Sequence, residues 1–171
     1  GIIQPILVRK TNDFYEIVAG ERRWRAAQIA KIHEVPVLVK ELTDEEVVKI
    51  SIIENIQRVD LNPIEEANSF DQLIRDFGYT QEKVSASLGK SRSYVANSLR
   101  LLTLPESIIT FLKEGKLTSG HARALVGIKN SDILAKKIIE EHLSVRDIEN
   151  IVKKEVANSD DKIKKKSLVK K

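Results

Sequence analysis

The sequence predicts an α+β protein: a small N-terminal α/β unit followed by an all-helical domain that contains a helix-turn-helix. Three observations predict it. Strand-like apolar runs alternate with helical ones through residues 1–57. Beyond Asn62-Pro63 no strand-like run remains, and Gly78, Gly89, Pro105 and Gly115 punctuate helical stretches. The composition, 42% apolar and 32% charged over 171 residues, supplies enough Ile, Leu, Val and Ala for small cores.

Each element has a local reason. Ile6-Leu7-Val8 and Tyr15-Glu16-Ile17-Val18-Ala19 are β-rich runs, and Thr11-Asn12-Asp13 between them signals a turn, so a hairpin is predicted. Glu21 to Ala30 reads as a helix. Val35-Pro36-Val37-Leu38-Val39 reads as a strand, with Pro36 placing it near an edge or a strand start. Thr43-Asp44-Glu45-Glu46 resembles a capping box opening a helix to about Gln57. Asn62 can cap the next helix, and Pro63 suits its first turn. Helices are predicted near residues 63–77, 80–88, 91–101, 106–114, 118–127, 131–141 and 144–157. The Lys-rich stretch 158–171 reads as a disordered linker. The division that follows is 1–60, 61–157 and 158–171.

Net charge is +4, but residues 158–171 alone carry +4 and the rest sums to zero. Residues 41–78 carry −7 and residues 80–125 carry +4, so contact with DNA is expected on the latter. With no cysteine, disulfides and thiol nucleophiles are excluded. A cytoplasmic setting fits. No run of about eighteen apolar residues exists, so no transmembrane segment is expected. The chain opens on Gly1 and lacks Met, and is expected to be a piece of a longer protein.

Gly20-Glu21-Arg22-Arg23-Trp24-Arg25-Ala26-Ala27 is the most informative stretch. Glycine lets the backbone turn or approach a ligand closely. The helix start behind it offers free N–H groups and a positive dipole end. Arginines add forked donors suited to phosphate oxygens. The combination reads as a polyphosphate site. Glu54-Asn55, near the end of the 43–57 helix, offers oxygens that suit Mg²⁺; the same residues also read simply as a solvated helix terminus. No Gly-x-x-x-x-Gly-Lys-Ser/Thr loop is present, and the three histidines lack zinc spacing.

Residues 80–99 follow helix-turn-helix grammar. Thr80 and Ser91 can cap, Val84 with Leu88 and Val95 with Leu99 can face a core, and Gly89 permits the turn. That leaves Lys90, Ser91, Arg92, Ser93, Tyr94, Asn97 and Ser98 facing outward, a set of donors at a helix start suited to the major groove. An ordinary helical hairpin with a polar face has the same pattern. Gly120-His121-Ala122-Arg123 follows Thr118 and Ser119, either of which can cap a helix. His121 alone reads as a capping or packing residue, and with Arg123 as a phosphate contact.

Taken in order, the chain resembles the ParB-type chromosome-partitioning proteins. The resemblance rests on Gly1-Ile2-Ile3-Gln4-Pro5, the arginine box, Glu54-Asn55-Ile56-Gln57-Arg58 followed by Asp60-Leu61-Asn62-Pro63, Leu88–Leu102, and Gly120-His121-Ala122-Arg123. It implies a weak CTP hydrolase that uses CTP and Mg²⁺ as a switch. Gln4, Gly20, Glu21, Arg22, Arg23 and Asn55 would bind nucleotide. Glu54 would be catalytic, and Glu54 with Asn55 would hold Mg²⁺. Lys90, Ser91, Arg92, Ser93, Asn97, Ser98, Gly120, His121 and Arg123 would bind double-stranded DNA at a palindromic, centromere-like site. Implied partners are a second copy, closing as a sliding clamp with nucleotide, a ParA-type ATPase and an SMC-type condensin; the implied location is the nucleoid. The family pattern includes a segment upstream of Gly1 and a C-terminal dimerisation domain that this sequence does not carry, so a monomer is expected when the chain is free, dimerising with nucleotide or DNA. A nucleoid-occlusion or plasmid-partition paralogue, or a plain helix-turn-helix repressor, are the alternatives.

Overall fold

The computed structural model describes residues 3–57 and 61–152. Gly1, Ile2, Arg58, Asp60, the last part of the helix predicted over 144–157, and the tail at 158–171 lie outside the described residues.

The hairpin forms from β1 (Ile6–Thr11) and β2 (Phe14–Ala19), joined by Asn12-Asp13 with Thr11 paired to Phe14. Helix α1 (Glu21–Ile29) then crosses to β3 (Val37–Lys40), which runs parallel to β1. The sheet order is β2-β1-β3. The third strand starts two residues later than the sequence suggests. Proline lacks the N–H that a ladder needs, so Pro36 contributes only its carbonyl, which accepts from the Ile6 N–H at 3.0 Å. Ile6, Val8, Val18 and Ala27 form the small buried interior of this unit.

Helix α2 (Asp44–Ile56) opens on the expected capping box. The Arg9 side chain ties it to the sheet. From β1 it donates to Glu16 of β2 at 2.5 Å and to Asp44, the first residue of α2, at 2.6 Å.

The remainder is helical: α3 (Pro63–Arg75), α4 (Gln81–Leu88), α5 (Arg92–Leu101), α6 (Glu106–Lys113), α7 (Ser119–Leu125) and α8 (Ser131–Glu141). Residues 145–152 are helical as well. Asn62 and Glu65 make a second capping box, with Pro63 in the first turn. Thr80 and Ser91 cap α4 and α5 through the N–H groups of Lys83 and Tyr94. Gly89 closes α4 in the left-handed region at φ 63°, where glycine carries no side-chain penalty.

Two clusters of buried residues organise these helices. One joins Ile64 with Leu101, Leu104, Ile108, Leu112, Leu125, Leu134, Ile138 and Ile148 under α6–α8. The other joins Ile56 of α2 with Phe70, Leu73, Val84 and Val95. The end of α2 is therefore built into the helix-turn-helix interior.

Caps also set an acid limit to stability. Hydrogen bonds from the Thr43 backbone and hydroxyl hold the Glu46 carboxyl below the usual carboxylate range. The Ser144 hydroxyl and backbone do the same for Asp147. A carboxylate with a depressed folded pKa contributes stability that is present above its unfolded pKa of about 4 and is lost as pH falls through the folded value. Thermal melts between pH 7 and 2.5 should show that acid loss, and Glu46→Gln with Asp147→Asn, which removes both titrating groups, should flatten it. An acid limb unchanged in the double variant would assign the loss to other groups.

Candidate nucleotide cleft and nucleic-acid face

Gly20 stands between β2 and α1 with φ 100° and ψ 23°, a conformation that favours glycine. Its carbonyl accepts from the Arg23 and Trp24 N–H groups at 3.0 and 3.2 Å. Having no side chain, it gives the first N–H groups of α1 no side-chain cap.

A cleft of about 640 Å³ lies against this turn, lined by Gly20, Glu21, Trp24, Ser51, Glu54, Asn55 and the strand residues 15 and 17–19. The fold thus brings Gly20 and Glu21 together with Glu54 and Asn55, more than thirty residues away in the chain. Ser51, Glu54 and Asn55 are spaced i, i+3, i+4 and share one face of α2. The cleft is within the size range of small-molecule sites, about 300–1,000 Å³.

The other predicted nucleotide residues do not line it. Arg23 donates through Nη1 to the carbonyls of Gln4 at 2.8 Å and Pro5 at 2.7 Å, so it braces the chain leading into β1. Gln4 is exposed, and its backbone is held by that contact. Arg22 is exposed. The Glu21 carboxylate is occupied by Arg25, at 2.6 Å from Nη2. Tyr15, Trp24 and Ser51 were not singled out from sequence. Ser51 had a usable signal, its place three residues before Glu54.

On the second face, Lys90, Ser91, Arg92 and Ser93 are exposed around the start of α5. Ser98, expected to face outward, is buried at 8% exposure instead. It shares a stripe with Val95 and Leu101, because i, i+3 and i+6 fall on one side of a helix. Asn97 and Ser98 of α5 nevertheless meet Ser119 and Arg123 of α7 in a notch of about 230 Å³ that Glu66 and Tyr94 also line. The Tyr94 hydroxyl donates to Glu66 at 2.7 Å. Burial and that hydrogen bond push the phenol up to about 12. His121 completes a capping box, its Nδ1 accepting from the Thr118 N–H at 3.5 Å. Gly120 packs toward Val145, whose Cγ2 would sit 3.1 Å from an added Cβ. Among the described residues no helix is long and apolar enough to cross a membrane, and no group of three or more His, Cys, Asp or Glu side chains clusters.

Residues 1–56 match the ParB N-terminal domain, and residues 59–157 match the ParB HTH domain. The chain belongs to the ParB family. The chromosome-partitioning protein ParB of Caulobacter vibrioides (strain NA1000 / CB15N) is 52% identical over 157 residues, covering 90% of this chain and 52% of that protein. Stage 0 sporulation protein J of Bacillus subtilis (strain 168) is 46% identical over 173 residues, covering 99% of this chain and 61% of that protein. This ParB-family chain spans about half the length of the curated relatives it matches. A crystal structure of the C-terminally truncated ParB from Caulobacter crescentus, complexed to the centromeric parS site, has the same fold. Its TM-score is 0.85 at 52% identity, over 88% of this chain and 82% of that one.

Proposed function

We propose that this chain is the DNA-reading and nucleotide-switching part of a chromosome-partitioning protein. It binds a palindromic, centromere-like site through α5 and α7, and a CTP–Mg²⁺ complex in the cleft beside Gly20. The observation that carries the reading is the fold shared with a parS-bound ParB at 52% identity. A basic balance of +4 over residues 80–125 supports phosphate contact on the same face. Arg92 and Asn97 would reach base edges; Lys90, Ser91, Ser93, Gly120, His121 and Arg123 would meet the backbone; Ser98 would act from the notch.

In the cleft, the first N–H groups of α1 at Glu21 and Arg22 would receive phosphate oxygens, with the Arg22 guanidinium adding charge. Gln4 and Arg23 would hold the near wall. Glu54 and Asn55 fit Mg²⁺, which keeps several waters and takes its remaining ligands from phosphates, so one carboxylate beside one amide suffices. When bound, Mg²⁺ neutralises triphosphate charge. Hydrolysis would be slow and would reset the switch, with the Glu54 carboxylate orienting the attacking water. Clamp closure between two copies requires that nucleotide bind the closed dimer better than the open form. Helix α2 suits such coupling, since one face lines the cleft while Ile52, Ile53 and Ile56 pack in the helix-turn-helix interior. A ParA-type ATPase and an SMC-type condensin are the partner classes, and the nucleoid is the location.

The hydrogen bonds of Arg23 to Gln4 and Pro5 favour a second reading, a helix-turn-helix repressor whose arginine box is structural. Calorimetric titration of CTP in Mg²⁺, with ATP, GTP and UTP as controls and with or without a parS duplex, separates the two. Selective CTP binding supports the switch, and no CTP binding with or without the duplex leaves the repressor. Glu54→Ala is expected to lower Mg²⁺-dependent CTP turnover by roughly tenfold to a hundredfold, the range for disturbing groups that hold a metal in place. Full turnover in that variant would remove Glu54 from the chemistry.

A further inference from the structure

Glu82, in the first turn of α4, reaches across the helix-turn-helix to Arg92, the first residue of α5. Its Oε1 lies 2.8 Å from the Arg92 Nε, and the two side chains are 58% and 68% exposed. An exposed pair of this kind adds little to stability. Its consequence is geometric. The contact occupies Nε and leaves both terminal nitrogens of the guanidinium, the pair that forks onto the O6 and N7 of guanine. A hydrogen bond from its own backbone N–H, the Arg92 charge and the Thr80 side chain hold the Glu82 carboxyl below the usual range. The separation of the helices is fixed by the Gly89 turn and the Lys90 N–H donating to the Ser85 carbonyl at 3.0 Å.

We propose that Glu82 is a positioning residue for DNA recognition, holding the Arg92 side chain so that its terminal nitrogens present a preformed fork to a guanine in the major groove. The proposal rests on the reading that α5 enters that groove. Two effects of opposite sign follow. A carboxylate beside the duplex repels phosphate and lowers affinity for every sequence. A guanidinium already held in place loses less freedom when it pairs with a base, which favours the correct site. Glu82 therefore trades general affinity for discrimination, which a merely structural acid would not do.

The test measures affinity of the full chain at one fixed salt concentration for two duplexes, one carrying the parS site and one with its guanines exchanged. Glu82→Ala should bind the exchanged duplex more tightly and lower the parS-to-exchanged ratio about fivefold to tenfold, as expected for losing a close charge pair at an interface. Glu82→Gln keeps an acceptor oxygen and should retain more of the ratio than Glu82→Ala. Arg92→Ala should lower parS affinity about tenfold to a hundredfold. An unchanged ratio in Glu82→Ala beside a lost ratio in Arg92→Ala overturns the role of Glu82 and leaves the DNA reading standing. An unchanged ratio in Arg92→Ala overturns the reading of Arg92, and the proposal with it. Equal losses on both duplexes in Glu82→Ala would mark damage to the fold and also overturn positioning.

Discussion

Phe70→Ala is expected to destabilise the chain by about 3–5 kcal/mol, the usual cost of truncating a fully enclosed phenylalanine. The side chain is 0% exposed. Its ring meets the Tyr94 ring edge-on, with centroids 6.4 Å apart and planes at 66°. It shares a cluster with Leu73 of its own helix, Val84 of α4, Val95 of α5 and Ile56 of α2. Val84 of α4 and Val95 of α5 meet only in this cluster, while Ser85 and Ser98 take up part of the two helices' buried faces. Domains of this size hold together by about 5–15 kcal/mol, so the loss removes a large share of the margin, and the variant should melt at lower temperature and lose DNA binding as it does so. Chemical denaturation gives the stability, and titration of a parS duplex the function. A loss below about 1 kcal/mol would mean that the site collapses around the deletion. CTP binding in the same variant is informative in its own right. If the cleft survives while the helix-turn-helix melts, the two units fold separately and Ile56 is a passenger. If both fail, α2 joins them.

What was legible in the sequence is what depends on near neighbours. Thr43, Asn62, Thr80, Ser91 and Thr118 were readable as caps, because a capping side chain bonds within three residues of itself. The Asn12-Asp13 turn and the glycine breaks were readable for the same reason. The pairing of the arginine box with Glu54-Asn55 was legible only through the family resemblance, since nothing local joins residue 20 to residue 54. Ser98 was misplaced because a small hydroxyl on a buried stripe looks polar in sequence. The arginine box points Arg23 at phosphate, yet its partners in the structure are two carbonyls eighteen and nineteen residues upstream, and carbonyls leave no mark in the amino-acid code. The Glu82–Arg92 contact depends on how two helices cross at a turn, which spacing alone does not specify.

Gly20→Ala should weaken CTP binding by roughly thirtyfold to a thousandfold, corresponding to about 2–4 kcal/mol. Two costs add. At φ 100° an L-residue is strained, by about 1–3 kcal/mol for sparsely populated backbone. A Cβ there would also sit 3.0 Å from Nη2 and 3.1 Å from Cζ of Arg23. Relief requires the guanidinium to move, which pulls it from the Gln4 and Pro5 carbonyls and releases the chain entering β1. Relief by turning the backbone instead would re-aim the first N–H groups of α1, the donors proposed to hold phosphate. Either way the cleft loses its shape while the helix-turn-helix is untouched, so parS affinity without nucleotide should stay within about twofold of the parent, the margin for well-separated sites. A double-variant cycle separates the two costs. If the collision with Arg23 dominates, Gly20→Ala added to Arg23→Ala should cost much less than Gly20→Ala alone, because the obstacle is gone. If backbone strain dominates, the two changes should add to within about 0.5 kcal/mol. CTP affinity in Gly20→Ala equal to that of the parent would place the nucleotide away from this turn, and the arginine box would then be a brace for β1.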